Sequence, residues 1–304
     1  MFGITYTNEC DNPTNRLDVR FTSVCDNSCP FCVEKGGREP QQMLPPAELA
    51  AKTIAAKPEV VGILGGEPLL YPDRVLEYLT LIRPHVPRIY ITTSLPFTIK
   101  THMAEVKKIL ALVNGFNVSL LASTPEKHNK ILHAKSLHNR FLLLQILTAY
   151  SPGKIRACIN LYKGGIDTLG ALYAMMHEIA RLGILNVKIN EIQWDDAGYV
   201  SYAQLTHQKL PPSYACGCYT PLPKEDPVAG LYPDINIKLH RSCWITTKAI
   251  KPTIRDIIKD IGRILFSVKR KPFRVLYEDG LLSFGWLKKQ QKKEKDNENI
   301  SNMD

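Results

Sequence analysis

No stretch of this 304-residue chain strings together the ~20 apolar residues that a bilayer-spanning helix needs. The opening Met-Phe-Gly-Ile-Thr-Tyr-Thr-Asn also lacks the layout of a secretion signal. These two absences predict a cytoplasmic protein with no membrane role. No internal repeat is visible, and the basic residues carry no aromatic–glycine signature of RNA binding. What is present is ordinary in bulk, with 44% hydrophobic and 22% charged residues, enough for one large core or a core with a small appendage. The net charge of +10 is partly gathered after residue 250, in Lys251, Arg255, Lys259, Arg263, Lys269, Arg270, Lys271 and Arg274. That run reads either as an attractor of phosphate-rich substrate or nucleic acid, or as a solvated helix face. The eight cysteines, without a secretion signal, point to thiols kept reduced and used as ligands.

Cys25, Cys29 and Cys32 form a C-x₃-C-x₂-C triplet directly after a strand-like run. Soft thiolates suit iron–sulfur clusters, and three of them hold three irons of a 4Fe–4S cube. A fourth cysteine is missing nearby, which leaves one iron open to a ligand. The other readings are a zinc knuckle and inert thiols, although zinc sites usually close four ligands with a second, distant pair. Farther on, Gly65-Gly66-Glu67-Pro68 follows the apolar run Val60–Leu64. A glycine pair at a strand's end lets a ligand approach the backbone, and the next carboxylate can receive an ammonium group.

From the triplet onward, strand and helix patterns alternate. Strands are predicted over Leu17–Ser23, Val60–Leu64, Arg88–Thr93, Phe116–Ala122, Lys154–Tyr162 and Leu185–Ile192. Helices are predicted over Pro46–Ala56, Asp73–Ile82, Lys100–Val113, Ser136–Tyr150 and Asp167–Leu182. Such a series gives an α/β fold with a parallel sheet, either doubly wound or curled into a partial barrel. Beyond Ile192 the chain is loop-rich, with short strands at Ile235–Leu239, Arg274–Leu276 and Leu281–Trp286, the last two joined by an Asp-Gly turn. An amphipathic helix is expected over Thr253–Val268. The organisation read from this is an N-terminal segment 1–13, a core 14–192, an extension 193–287 that caps the barrel mouth, and a disordered charged tail 288–304. Alternation puts Arg156, Cys158 and Asn160 on one face, Asn117 and Ser119 on another strand's equivalent, and Thr92, Thr93 and Ser94 at a strand's end. Arg and Asn in a central parallel strand predict a polar cavity. The alternative is that they face outward.

The triplet and the Gly-Gly-Glu-Pro turn together resemble the radical S-adenosylmethionine (SAM) enzymes over roughly residues 14–195. The resemblance implies a partial (β/α)₆ TIM barrel with its site at the strands' C-terminal ends. It also implies a 4Fe–4S cluster whose open iron chelates SAM, and a 5′-deoxyadenosyl radical that abstracts hydrogen from a substrate. Strand wording around Tyr90–Ser94, Phe116–Leu120 and Glu191–Gln193 is most similar to the branch containing the molybdenum-cofactor cyclase and viperin. On that likeness, Phe31 lies beside the adenine, Gly66 and Glu67 hold the methionine amino end, Ser119 meets the ribose or carboxylate, and the Gln193 backbone contacts adenine. Arg156 falls where the cyclase holds a substrate phosphate. The chain departs from the cyclase at Asp18 and Gly62, which replace two substrate arginines, at Ser94-Leu95, which replaces Asn-Gly, and at Cys158, which replaces an asparagine. These departures speak against GTP cyclisation.

Cys216, Cys218 and Cys243 stand where the cyclase has three ligands of an auxiliary cluster, but the spacing differs and the expected hairpin cysteine is Trp286. An auxiliary cluster, a zinc site and plain thiols all remain open there. The resemblance further implies a flavodoxin- or ferredoxin-type reductant. The substrate is a nucleotide, another small molecule or a peptide, with the leaning toward a nucleotide or nucleic-acid type resting on Arg156 and the positive charge. The competing class is a non-catalytic iron–sulfur carrier or sensor, which needs neither an open iron nor the glycine turn.

Overall fold

The computed structural model describes residues 15–32, 41–192, 197–208, 219–240 and 274–284. β1 (Arg16–Thr22), β2 (Val60–Gly65), β3 (Arg88–Thr93), β4 (Gly115–Leu120), β5 (Ile155–Leu161) and β6 (Asn186–Glu191) lie side by side in chain order, all parallel. Between them run α1 (Pro46–Ala55), α2 (Pro72–Ile82), α3 (Thr98–Thr101), α4 (Met103–Leu112), α5 (Pro125–Leu132), α6 (Arg140–Tyr150) and α7 (Leu169–Arg181), with α8 (Tyr202–Leu205) after β6. The chain then adds strands at both edges. β8 (Asn236–His240) pairs parallel with β6 and carries β7 (Tyr219–Pro221) antiparallel outside it. β9 (Arg274–Leu276) pairs parallel with β1 and carries β10 (Leu282–Phe284) as a hairpin. The described part of 193–287 therefore lengthens the sheet on either side of the six predicted strands.

Each strand buries one apolar row under the helices. On β5, Ile155, Ala157, Ile159 and Leu161 are all buried to 1% exposure or less, and on β1 Leu17, Val19 and Phe21 are buried to 2% or less. Burying one such large aliphatic side chain stabilises by about 1.5–3 kcal/mol. The opposite face is polar, and the sheet curls around it. Asp18 on β1 feels the charge of Lys188 on β6, although five strand spacings would separate them by about 24 Å in a flat sheet. The sheet stays open, with β10 and β7 at its edges. This is the predicted partial barrel.

Helix ends differ from the sequence expectation for local reasons. The helix expected over Lys100–Val113 breaks at His102, whose φ of −122° and ψ of 36° are not helical. The helix expected from Ser136 begins at Arg140, because Asn139 caps it by accepting from the Leu142 N–H at 3.1 Å. α5 was not predicted; Thr124 caps it, and Pro125 sits in its first turn. The helix expected over Thr253–Val268 and the tail 288–304 lie outside the described residues.

A buried ion pair joins the barrel's first strand to the β9–β10 hairpin. Arg20 Nη1 lies 3.4 Å from Glu278 Oε1, with both side chains nearly fully buried, and the guanidinium sits over the Tyr277 ring at 5.5 Å. Glu278 also accepts from the backbone N–H groups of Gln41 at 3.2 Å and Leu44 at 2.7 Å.

Candidate active site

The cysteine triplet and the glycine turn meet at the C-terminal ends of β1–β3. After β1 the chain leaves the sheet at Thr22, and the turn after β2 is stitched to it. Gly66 N–H donates to Thr22 O at 2.6 Å and Glu67 N–H to Val24 O at 2.8 Å. The two glycines are required by this close backbone contact. Gly65 has a φ of +125°, and a Cβ on Gly66 would collide with the Val24 carbonyl.

Glu67 is 1% exposed. Its Oε1 accepts from Leu69 N at 3.1 Å and Thr93 Oγ1 at 2.8 Å, and its Oε2 from Ser94 N at 2.7 Å and Ser94 Oγ at 2.8 Å. Four donors fill the carboxylate's acceptor sites. In this arrangement the side chain's lone pairs are spent on the turn and on the end of β3. Burial lifts its pKa to about 7, with the Ser94, Thr93 and Leu69 donors pulling the other way. Thr93, expected among the cofactor contacts, is likewise buried and committed to Glu67.

Sequence reasoning missed the residue that organises the cysteine loop. Arg140, 1% exposed at the start of α6, donates from Nε to Ser94 O at 2.9 Å and from Nη2 to Asn27 Oδ1 at 3.1 Å. Its Nη1 bonds to Asn129 Oδ1, and Nη2 lies 3.5 Å from Asp26 Oδ2. Asn27 Nδ2 in turn donates to Ser94 Oγ at 2.8 Å. Ser94 thus joins the Cys25–Cys29 segment, Glu67 and Arg140. The one available signal was an arginine following an Asn cap in a chain segment otherwise read as mid-helix.

The three thiols are half-buried on this loop. Cys25 is pushed up to about 11, chiefly by burial, then by the charges of Glu67, Asp26 and Cys32, while the Asn27 N–H pulls it down. Such a thiol keeps its proton until a metal displaces it. Soft donors on one loop, with the buried Arg140 cation beneath, fit a cluster that takes three thiolates. Among the described residues no three His, Cys, Asp or Glu side chains converge as ligands of a single metal ion; a cube meets each thiolate at a different iron. Cys158, the fourth described cysteine, is buried on β5, where burial raises its pKa against the pull of Lys188 and Arg156.

The remaining residues divide by depth. Ser119, half-buried, pairs across the sheet with Cys158, and Cys158 with Lys188. Two residues nearer the mouth, Asn160 Oδ1 accepts from Asn190 Nδ2 at 3.0 Å. Thr92 Oγ1 is 3.5 Å from Asn117 Nδ2. Arg156 faces the interior as alternation predicted, but at the N-terminal end of β5. There it lies 5.3 Å over the Tyr90 ring and reaches Asn117 Oδ1 at 3.4 Å. It stands four residues, or about 13 Å, below Asn160. Asp18 is paired with Arg16 at 2.8 Å and lies over Gly62, where a Cβ would strike its carboxylate. Phe31 packs on Tyr162 at 4.8 Å between ring centroids, and Gly198 fits against that same tyrosine. Tyr162, directly after β5, was not singled out from sequence. Gln193, Cys216, Cys218, Cys243 and Trp286 lie outside the described residues.

Comparison with known proteins agrees with this geometry. Among solved structures, the chain is similar to SuiB of Streptococcus suis bound to S-adenosylmethionine, at 13% identity and a TM-score of 0.58, over 88% of this chain and 59% of that one. It is also similar to a radical SAM methyltransferase from Sphaerobacter thermophilus, at 13% identity and a TM-score of 0.52, over 72% and 64% of the two chains. A third is anSMEcpe with bound AdoMet and a Cp18Cys peptide, at 12% identity and a TM-score of 0.51, over 89% and 74%. At these identities the likeness is one of fold, and the chain spans 59% of the length of SuiB. No curated protein matches it. Among the described residues no helix is long and apolar enough to cross a membrane. The sequence profile of the radical SAM superfamily matches residues 19–177, more than half of the chain. The chain belongs to the radical SAM superfamily, an enzyme family whose membership implies a 4Fe–4S cluster and SAM.

Proposed function

We propose that Cys25, Cys29 and Cys32 hold the one catalytic 4Fe–4S cluster and that the barrel interior positions SAM against a small anionic substrate, of nucleotide type. The observation that carries this reading is the stitching of the cysteine loop to the Gly65–Glu67 turn through Thr22, Val24 and the Ser94 network. When bound, the cluster and SAM together supply a 5′-deoxyadenosyl radical able to take hydrogen from carbon. The chain's own residues then have distinct tasks. Gly65 and Gly66 bring the turn's backbone to the cysteine loop, so that main-chain groups meet the methionine end. Glu67, Thr93 and Ser94 hold that turn rigid. Ser119, whose hydroxyl has no partner among the described residues, offers a hydrogen bond toward the ribose or carboxylate. Phe31 and Tyr162 give an aromatic wall at the mouth.

The phosphate role given to Arg156 from sequence passes to β6 and β8. Lys188 and Lys238 are Cα partners on the inner face, and His240 follows beside Asn190. Positive side chains gathered on this face favour an anionic substrate. Strand wording still aligns the chain with the cyclase and viperin branch, but Asp18–Arg16 and Gly62 remove its GTP-reading arginines. A peptide substrate is the second reading, favoured by the fold shared with anSMEcpe, whose structure carries a peptide. A flavodoxin- or ferredoxin-type protein supplies the electron. For Cys216, Cys218 and Cys243 we assign no second cluster.

Anaerobic reconstitution should give about four irons per chain, and dithionite with SAM should release 5′-deoxyadenosine. Nucleotides should raise that release above the uncoupled rate where peptides do not. About eight irons, with four surviving in the Cys25/Cys29/Cys32→Ala variant, would establish an auxiliary cluster instead. Deoxyadenosine from that variant would refute the placement of the cluster.

A further inference from the structure

We propose that the loop 133–138, with Phe97 and Lys100 beside it, is the docking face for an acidic one-electron carrier protein. The proposal rests on the radical SAM reading, which requires a single electron at the cysteine loop. Three independent observations support it.

The first is connection. The loop is bonded directly to the cysteine segment, since Lys135 N–H donates to Asp26 O at 2.9 Å and Ser28 N–H donates to Leu132 O at 2.9 Å. Asn129 Nδ2 ties the loop's far end by donating to His138 O at 3.0 Å, and Arg140 closes behind it onto Asp26 and Asn27. A partner seated here is separated from the thiols by one layer of backbone.

The second is an apolar centre that has nothing to bury it. Leu137 is 80% exposed, the highest among the large hydrophobic residues described, and Phe97 is 43% exposed. The Phe97 ring is held upright by His138, edge-on at 5.8 Å, and by the Lys100 ammonium at 5.7 Å. His138 is itself fixed by its Nε2 bond to Leu95 O at 2.8 Å. The apolar groups are thus presented on a rigid frame, the arrangement that costs least to order on binding.

The third is charge. Lys100, Lys130 and Lys135 are exposed around this centre. The two segments that build it contain no carboxylate at all, none occurring between Glu77 and Glu105 or between Glu126 and Asp167. Nearby carboxylates are Asp26, held by Arg140 at 3.5 Å, and Glu126, one turn before Lys130, so the rim is mainly positive; such a rim around an apolar centre selects a partner with an acidic rim and speeds its encounter. The step is balanced simply: the carrier is oxidised by one electron, the cluster is reduced by one, and no bond or proton moves.

The test uses the reconstituted full chain and photoreduced flavodoxin as the probe, with cluster bleaching followed by stopped flow and the reduced cluster counted by EPR. In Lys130→Glu/Lys135→Glu, and separately in Leu137→Ser, reduction by flavodoxin at low salt should slow by about tenfold or more, the scale of electrostatic steering. The wild-type rate should fall as salt is raised. Reduction by dithionite should be the same in all three proteins. Equal flavodoxin rates in wild type and variants would overturn the docking face while leaving the radical SAM reading intact. So would an equal slowing with dithionite, which would mean that the loop had been damaged. A wild-type protein that binds no iron would remove both.

Discussion

Ser94 and Ser119 belong to neighbouring strands of one sheet, and they live in opposite circumstances. Ser94, just past β3, gives its N–H and its hydroxyl to Glu67, takes a bond from Asn27 and offers its carbonyl to Arg140. Ser119, within β4, faces the interior half-buried and makes none of these bonds. The same contrast separates the two halves of the barrel. Around β1–β3 the polar groups satisfy one another and hold a loop in place. Along β4–β6 they line the cavity. Polar residues of the first kind should answer to measurements of stability, and those of the second to measurements of binding.

The largest effect should come from Arg140→Met. It leaves Asp26, Asn27, Asn129 and the Ser94 carbonyl buried without their shared donor, a change that costs about 3–5 kcal/mol when a buried charge loses its partner. Urea unfolding of the apoprotein should show it, and iron per chain after reconstitution should drop as well. A loss below about 1 kcal/mol would mean that the cysteine loop holds itself.

Glu67 comes next, through pH. Its folded value of about 7 lies above the ordinary 4.5. Between those values the folded protein keeps a proton that the unfolded chain has lost. The stability this confers is full below pH 4.5 and disappears as pH rises through 7. From pH 5 to pH 8 the wild-type apoprotein should therefore lose on the order of 2–3 kcal/mol that Glu67→Gln does not lose. At either pH the amide must turn its NH₂ toward the N–H of Leu69 or of Ser94, so the variant starts from a handicap of about 1–3 kcal/mol. Parallel pH profiles for the two proteins would show that the carboxylate is not desolvated.

The serine pair itself gives a sharper contrast. Ser94→Ala should cost about 1–2 kcal/mol of stability by orphaning its partners. Ser119→Ala should stay within about 0.5 kcal/mol and instead weaken SAM binding two- to tenfold by calorimetry, roughly one hydrogen bond. The reverse outcome would dissolve the distinction between the two halves. Smallest of all, Arg156→Leu should leave SAM affinity unchanged, because the residue stands at the far end of β5 and stacks on Tyr90.

The sequence made some of this legible for physical reasons that also explain its errors. β5 was readable because Ile155, Ala157, Ile159 and Leu161 alternate with polar residues, which fixes the face. Alternation fixes the face of Arg156 but says nothing of depth, so its position near the N-terminal end of β5 was not legible. The Gly-Gly-Glu turn was readable as a motif, but the direction of the Glu67 carboxylate depends on Thr93 and Ser94, partners 26 and 27 positions away. Arg140 was invisible for the same reason, since its partner Asn27 lies 113 positions away. α5 was passed over because Pro-Glu-Lys-His-Asn-Lys-Ile-Leu is too polar to show an apolar stripe, although Thr124-Pro125 announced its start.

The pairing of β9 with β1 has a consequence for how the protein is made. Among the described strands, β1 has β2 on one side, and its neighbour on the other, β9, comes only once residues 274–276 have been synthesised. Until then Arg20 lacks Glu278, and the Gln41 amide waits for a carboxylate 237 positions downstream. A nascent chain would thus carry β1 without its β9 neighbour, beside the cysteine loop, until that hairpin is made, a state exposed to mispairing and to chaperones. High contact order of this kind slows the final closure, so insertion of the cluster belongs after synthesis of the hairpin rather than during elongation.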